Sequence, residues 1–235
     1  MTTSSKTSIY KLAVFLALLL IAGYQLLFTD TFAQTSSQII ITWQANNFYP
    51  ANYEGRALVT PNSPVVLASE LLRNNKLVDT TQAMFSWILD GKLLGSGRGL
   101  KEISFVSKKQ AGDNHLVRVS IKIGEETFEN SARIEVSEPV VVIEIKSPSR
   151  EIRAGEEVKL QTIPYFFNVS SVRDLKFFWR VGNAKEESEG ENRLTLSISR
   201  SQDTNQKTLQ VFSTVQNKRN PLEFKNKTVQ LKISK

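Results

Sequence analysis

Short stretches in which apolar and polar residues alternate, separated by turn dipeptides, make up the chain from Gln38 onward. The stretch from Phe85 to Leu89 alternates in this way and stops at Asp90-Gly91, a dipeptide typical of hairpin turns. The stretch from Val117 to Ile123 alternates as well. A period of two places one face of a strand on a core and the other face in water. The pattern therefore predicts an all-β fold built from antiparallel sandwiches.

The alternating pattern occurs twice in the chain, at an offset of 92 residues, and places Trp179 where the first copy has Trp87. Further matches at this offset pair Phe85 with Phe177, Leu89 with Val181, Val66 with Val158, Ala68 with Leu160 and Val119 with Val211. The repeat predicts two homologous β-sandwich domains, residues 36–138 and 139–235. Since almost no residues separate them at Glu138-Pro139, we expect a stiff connection. Both tryptophans are interpreted as core residues.

The N-terminus carries an export signal. Residues 1–11 are polar and include two lysines, and an uninterrupted apolar run follows from Leu12 to Ala22. The apolar stretch up to Phe28 spans 17 residues, which is at the short end for a transmembrane helix. Residues 1–33 are therefore either a signal peptide cleaved after Ala33 or a retained signal-anchor whose apolar helix, residues 12–28, crosses the membrane. In both cases we expect the rest of the chain outside the cytoplasm, at the cell surface or secreted.

The composition excludes several kinds of chemistry. The chain has no cysteine, which excludes disulfides, thiolate nucleophiles and cysteine zinc sites. It has one histidine, His115, so any Ser-His-Asp arrangement would have to include that residue. No catalytic residue, metal site or cofactor is predicted, and the protein is not expected to be an enzyme.

The positive charge is concentrated in the second predicted domain. The formal net charge is +7, but residues 34–138 contain 11 basic and 11 acidic side chains. Among the cations of the last hairpin are Lys218, Arg219, Lys225 and Lys227, called here the basic hairpin. Such a cluster attracts anionic polymers, although it is also typical of a solvated face. Because the chain is exported, a nucleic acid is not the expected partner, and we expect the hairpin at the end of the molecule far from the membrane.

A second candidate binding region is the aromatic loop, Trp43–Gly55, which is rich in amide and aromatic side chains. Trp43, Tyr49 and Tyr53 are its candidate ligand contacts, because aromatic faces match sugar rings and amides match hydroxyl groups. The alternative is a loop that packs on itself and caps the first domain.

The core tryptophan followed by Asp90-Gly91 or Gly182-Asn183, the Ala154-Gly155-Glu156 before a strand and the closing valine-rich strands resemble PKD and Ig-like modules of bacterial and archaeal surface proteins. The resemblance implies spacers, adhesive modules or carbohydrate-associated accessories. The leading hypothesis is a non-enzymatic surface or secreted protein that acts as a spacer or adhesive module. The alternatives are a module that binds anionic or carbohydrate polymers of the cell envelope, and a membrane-anchored subunit of a secretion or pilus assembly. The expected partner is an envelope polymer or another surface protein.

Overall fold

The computed structural model describes residues 36–146, 151–153, 155–184, 188–197 and 208–234. By its contacts the chain divides into two units, Met1–Ser36 and Ser37–Lys235. The predicted signal or signal-anchor lies outside the described residues. Within the described ranges, no helix is long and apolar enough to cross a membrane.

The described part is almost entirely β-structure. Its strands are β1 (Ser37–Ala45), β2 (Pro64–Arg73), β3 (Lys76–Leu77), β4 (Met84–Leu89), β5 (Lys92–Arg98), β6 (Glu102–Val106), β7 (Asn114–Ile123), β8 (Glu126–Glu135), β9 (Val140–Ile145), β10 (Glu151–Arg153), β11 (Glu157–Tyr165), β12 (Leu175–Val181), β13 (Ser188–Gly190), β14 (Arg193–Ser197), β15 (Thr208–Asn217) and β16 (Phe224–Ser234). One 3-10 turn, Val172–Asp174, precedes β12, and the hydroxyl of Ser171 caps it by accepting a hydrogen bond from the Arg173 amide.

Strands β1 to β8 form two sheets, which we call the first sandwich. In one sheet β2 pairs with β1, β3 and β6, and the other sheet has the order β5-β4-β7-β8. Strands β9 to β16 form the second sandwich, with sheets of order β14-β11-β9 and β10-β16-β15-β12-β13. The predicted domain boundary after Glu138 falls between β8 and β9.

Both sandwiches have the strand arrangement of immunoglobulin-like domains, in which the first, second and fifth strands oppose a sheet built from the third, sixth and seventh. Each also has a parallel contact at its last strand: in the first sandwich Val59 bridges to Val136, the residue that follows β8, and in the second β10 pairs with β16. The prediction of tandem Ig-like β-sandwiches is confirmed.

The two tryptophans occupy equivalent places in the two cores. Trp87 is fully buried and Trp179 is 5% exposed. Each indole Nε1 donates a hydrogen bond to a backbone carbonyl, at 2.9 Å to Leu100 and at 2.8 Å to Glu191. A buried indole N–H needs a hydrogen-bond acceptor, and in both sandwiches a backbone carbonyl provides it.

The constant offset of 92 residues is correct for the tryptophans but wrong for the neighbouring strands. Val66 points outward with 43% exposure, whereas Val158 is buried. Trp87 lies opposite Val119 on β7, but Trp179 lies opposite Ser213 on β15. Between β2 and β11 the correspondence is displaced by one residue, which exchanges the buried and exposed faces, and between β7 and β15 it is displaced by two, which keeps the faces. The strands therefore correspond through their buried positions and not through one fixed spacing.

Candidate binding groove between the two sandwiches

The aromatic loop does not act as one unit. Trp43 lies within β1, opposite Leu67, and packs half-buried against the first core. The guanidinium of Arg56 lies 4.3 Å from the centre of its ring, a cation–π contact that covers this face. Trp43 is therefore a strand residue, separate from the rest of the predicted cluster.

Tyr53 lies in an aromatic cluster between the two sandwiches. Its ring centre is 5.8 Å from that of Tyr49, 5.6 Å from that of Tyr165 and 5.5 Å from that of Phe166. The last two rings belong to the second sandwich and meet Tyr53 edge-on, an arrangement that aromatic pairs prefer. The loop therefore covers the junction and contacts both domains.

Backbone hydrogen bonds cross the junction at the same place. The Phe48 amide donates to the carbonyl of Phe167 at 2.8 Å, and the Phe166 amide donates to the carbonyl of Phe48 at 2.6 Å. Phe166 has a φ of 64°, a left-handed conformation that is costly for a bulky residue. The surrounding contacts hold the residue in this conformation, as expected where strain serves a fixed arrangement.

Side-chain hydrogen bonds extend the junction on its polar side. Asn168 Nδ2 donates to the carbonyl of Pro61 and to Glu223 Oε1, both at 2.8 Å. The other carboxylate oxygen, Glu223 Oε2, accepts from Asn217 Nδ2 at 2.6 Å. Glu223 therefore links Asn217, at the start of the β15–β16 turn, to Asn168. The hydroxyl of Thr60 donates to the carbonyl of Phe166 at 3.1 Å. Direct hydrogen bonds therefore join the two sandwiches in addition to the short connection between β8 and β9.

Beside this polar network the junction opens into a cavity of about 500 Å³, which we call the junction groove. Its lining comes from both sandwiches and consists of Gln44, Ala45, Asn46, Asn47, Phe48, Tyr49, Pro64, Asn168, Val169, Ser170, Asp174 and Arg219. It brings together Tyr49 of the aromatic loop and Arg219 of the basic hairpin, two predicted binding residues that are far apart in the sequence.

The charged pair in the junction groove is loosely associated. Arg219 Nη2 lies 3.9 Å from Asp174 Oδ1, and the Arg219 side chain is 83% exposed. At this distance and exposure the pair contributes little to stability. Both side chains therefore keep unused hydrogen-bonding capacity toward the groove.

The other cations of the basic hairpin point elsewhere. Lys218 Nζ donates to the carbonyl of Arg173 at 2.6 Å. Lys225 pairs with Glu138. Lys227 is exposed and lines, together with Lys225, a second cavity of about 630 Å³. This cavity also contains Glu135 and Glu138, so its charges are balanced.

The basic hairpin does not turn at the far end of the second sandwich, as the sequence suggested. Its turn lies at the junction, because Asn217 at the end of β15 and Glu223 just before β16 both bond to Asn168. In an immunoglobulin-like sandwich the turn between the last two strands lies at the end where the first strand begins, and here that is the end that meets the first sandwich.

A hydrogen-bonded chain of serine, histidine and aspartate lies in the first sandwich, and the sequence did not reveal it. Ser107 Oγ is 3.1 Å from His115 Nε2, and His115 Nδ1 is 2.7 Å from Asp90 Oδ2. This is the order of groups in a hydrolase triad, but Ser107 is completely buried and His115 is 3% exposed. The side chains come from different strands and turns, so no local motif signals the chain. With its hydroxyl buried, Ser107 supports the packing of the junction end and offers no nucleophile to a substrate.

Asp90 is the charged end of this chain. Burial raises the pKa of its carboxyl, but hydrogen bonds from Lys109, from the amide of Leu116 and from His115 outweigh that effect, and the pKa lies below its ordinary value. Across the described ranges, no group of three or more acidic or histidine side chains could hold a metal ion.

No family model matches the sequence, and no curated protein is similar to it in sequence. Several solved structures align with most of this chain. The three N-terminal domains of the bacteriophage RB49 Highly Immunogenic Outer Capsid protein are 9% identical with a TM-score of 0.43, over 84% of this chain and 59% of that chain. The chain thus spans about three fifths of that capsid protein structure.

Fibronectin(III)-like modules of Clostridium thermocellum CbhA are 7% identical with a TM-score of 0.29, over 83% of this chain and 94% of theirs. The D1–D4 ectodomain fragment of ICAM-5 is 12% identical with a TM-score of 0.30, over 84% of this chain and 53% of that chain. The immunoglobulin-like assignment rests on the strand order and pairing of this chain itself.

Proposed function

We propose that this chain is a non-enzymatic protein of the cell exterior whose two Ig-like sandwiches act together as a spacer or adhesive module. The observation that carries the proposal is the junction, where backbone bonds between Phe48 and the segment Phe166–Phe167 cross from one sandwich to the other. A module that holds a partner at a set distance needs domains that do not rotate freely.

Several kinds of interaction support a fixed junction. The aromatic cluster around Tyr53 packs rings of both sandwiches against each other, and each hydrogen bond to Asn168 or Phe166 contributes roughly 0.5–1.5 kcal/mol. Ser137, in the connection itself, donates to the carbonyl of Val59 at 2.7 Å. Because the connection is bonded to the first sandwich, little backbone remains free to act as a hinge.

The location outside the cytoplasm rests on the sequence of residues 1–33, where a lysine-containing segment precedes an apolar run. The proposal that the sandwiches are PKD-like modules of a bacterial or archaeal protein rests instead on the turns after the core tryptophans and on Ala154-Gly155-Glu156. The test is to digest intact cells with protease and to sequence the N-terminus of the native protein. We expect the folded domains to be accessible, whereas full protection in intact cells would refute the location. An N-terminus at Gln34 indicates cleavage, and an intact one indicates a retained anchor.

The spacer role is tested by distance measurements between spin labels. Because the chain has no cysteine, Lys92→Cys and Lys232→Cys introduce two unique labelling sites, one on an exposed position of each sandwich. We expect a narrow distance distribution that broadens when Asn168→Ala is added and stays narrow when Gln230→Ala, on an exposed face of β16, is added instead. A broad distribution in the otherwise unchanged protein would refute a fixed junction.

A further inference from the structure

The junction groove has the side-chain chemistry of a sugar site, and we propose that it binds a neutral oligosaccharide. This proposal goes beyond the spacer role, since a fixed junction could exist without any ligand. The groove is formed only where the two sandwiches meet, so neither domain contains the complete site.

The first argument is the unused hydrogen-bonding capacity of the lining. The side chains of Gln44, Asn46 and Ser170 are exposed in the groove and make no hydrogen bond with any residue in the described ranges. Carboxamides donate and accept hydrogen bonds, as do hydroxyl groups. A ligand that offers many hydroxyls, each both donor and acceptor, matches such a lining better than one that offers only charges or only apolar surface.

The second argument is charge. Asp174 and Arg219 are the charged side chains of the lining, and their formal charges cancel. At 3.9 Å, the carboxylate can still accept from one hydroxyl while the guanidinium donates to another. The nearby Lys218 is turned away and bonded to the carbonyl of Arg173. A ligand without net charge therefore fits the groove.

The third argument is the aromatic ring of Tyr49. It packs on one side against the first core and contacts the ring of Tyr53, which fixes its position. Its remaining half-exposed surface lines the groove. A fixed aromatic surface among polar groups suits a sugar ring, whose C–H face is apolar and whose edge carries hydroxyls.

Part of the backbone at the groove is already bonded within the protein. The Asn46 amide donates to the carbonyl of Pro64 at 2.8 Å, and the amide and carbonyl of Phe48 bond to Phe167 and Phe166 across the junction. These backbone groups are therefore not free to bond to a ligand.

The site is also held in place before a ligand arrives. Asn168 forms part of the lining and is bonded to Pro61 and Glu223, and Phe48 is bonded across the junction to Phe167. Binding therefore needs little ordering of the protein, which lowers its entropic cost.

The test uses isothermal titration calorimetry on the purified full chain. The probes are neutral tetrasaccharides, namely cellotetraose, maltotetraose and chitotetraose, with tetragalacturonate as an acidic comparison. We expect saturable binding of at least one neutral probe. Asn46→Ala and Arg219→Ala should each weaken that binding about tenfold, equivalent to about 1.4 kcal/mol. Lys227→Ala, which removes an exposed cation outside the groove, should leave it unchanged.

The proposal is overturned if no neutral probe binds, if the groove variants bind as well as the unchanged chain, or if tetragalacturonate alone binds and does so in a salt-sensitive way. Thermal denaturation of each variant shows whether it remains folded. The spin-label distances of the Arg219→Ala variant should stay narrow, so loss of sugar binding is distinguishable from failure of the spacer proposal.

Discussion

The Nδ1 atom of His115 lies 2.7 Å from Oδ2 of Asp90, and the other carboxylate oxygen of Asp90 accepts from Lys109 and from the amide of Leu116. One carboxylate at the end of β4 therefore anchors both the connection before β7 and the first residues of that strand. Asp90 has a φ of 51°, which asparagine also tolerates, so Asp90→Asn removes the charge without disturbing the turn.

We expect Asp90→Asn to destabilise the protein by about 1–2 kcal/mol at pH 7. The pKa of Asp90 is lower in the folded protein than in the unfolded chain. The carboxylate therefore stabilises the fold fully at a pH above the unfolded-state pKa of Asp90, and this contribution is lost as the pH falls through its folded-state pKa. The difference between variant and unchanged protein should therefore shrink on acidification below about pH 4. Urea denaturation at pH 7 and pH 3 measures this difference in stability. The control is Glu102→Gln, at an exposed site. A stability difference for Asp90→Asn that does not depend on pH would contradict the stabilising role of the Asp90 carboxylate.

Glu223 is the acceptor that joins the β15–β16 turn to the junction. It accepts from the amide and the Nδ2 of Asn168 and from the Nδ2 of Asn217. Glu223→Gln keeps the shape but turns an acceptor into a donor that faces donors, so we expect a loss of about 1–3 kcal/mol in the free energy of unfolding. Urea denaturation measures the loss, with Gln230→Ala as a control expected to stay within about 0.5 kcal/mol. Equal stability of both variants would exclude a structural role for this carboxylate.

The two indole hydrogen bonds predict matched effects in the two cores. Trp87→Phe and Trp179→Phe should each cost about 2–4 kcal/mol, because they remove buried volume and leave the carbonyl of Leu100 or Glu191 without its donor. Trp43→Phe should cost less, because that ring is half-buried and its Nε1 bonds to no described residue. Thermal denaturation compares the three. A loss confined to one of the two core variants would contradict their equivalence.

Gly55 lies directly beside the ring of Tyr53, which packs against the second sandwich. A Cβ atom added there would collide with the phenol of Tyr53, so Gly55→Ala must displace a ring that packs against Tyr165 and Phe166. We expect faster hydrogen exchange at the junction amides of Phe48 and Phe166, by about fivefold or more, which corresponds to about 1 kcal/mol of local stability. The control is Gly97→Ala on β5, where a Cβ meets ordinary contacts. Unchanged exchange in Gly55→Ala would mean that the aromatic cluster does not stabilise the junction.

The strand content and the two cores could be predicted because alternation and burial are local properties. Phe85 and Trp87 are buried on β4 as the period of two required. Pairing register is not local, and the correspondence of Val66 with Val158 failed for that reason. Their opposite exposures reflect connections of different length between otherwise equivalent strands.

The candidate site could be predicted only in fragments. Tyr49 and Arg219 were identified separately, as an aromatic residue and as a cation, but their meeting in one groove depends on how two domains contact each other. Asn168 carries much of the junction, but nothing in the sequence indicated that role, because an asparagine in a connecting segment is ordinary. The chain from Asp90 through His115 to Ser107 likewise depends on tertiary contacts, although the single histidine of the protein marks its centre.

The parallel pairing of β10 with β16 affects how the second sandwich would respond to mechanical load. The pairing runs from Glu151 opposite Lys232 to Arg153 opposite Ser234. It therefore joins a strand near the beginning of the second sandwich to the last strand of that sandwich. Tension applied to the two ends of this sandwich would pull these hydrogen bonds sideways, along the strands, so that they share the force and break together. Resistance to stretching is then governed by the rate of forced unfolding and not by equilibrium stability. A protein pulled between two surfaces would gain from this arrangement even at modest thermodynamic stability.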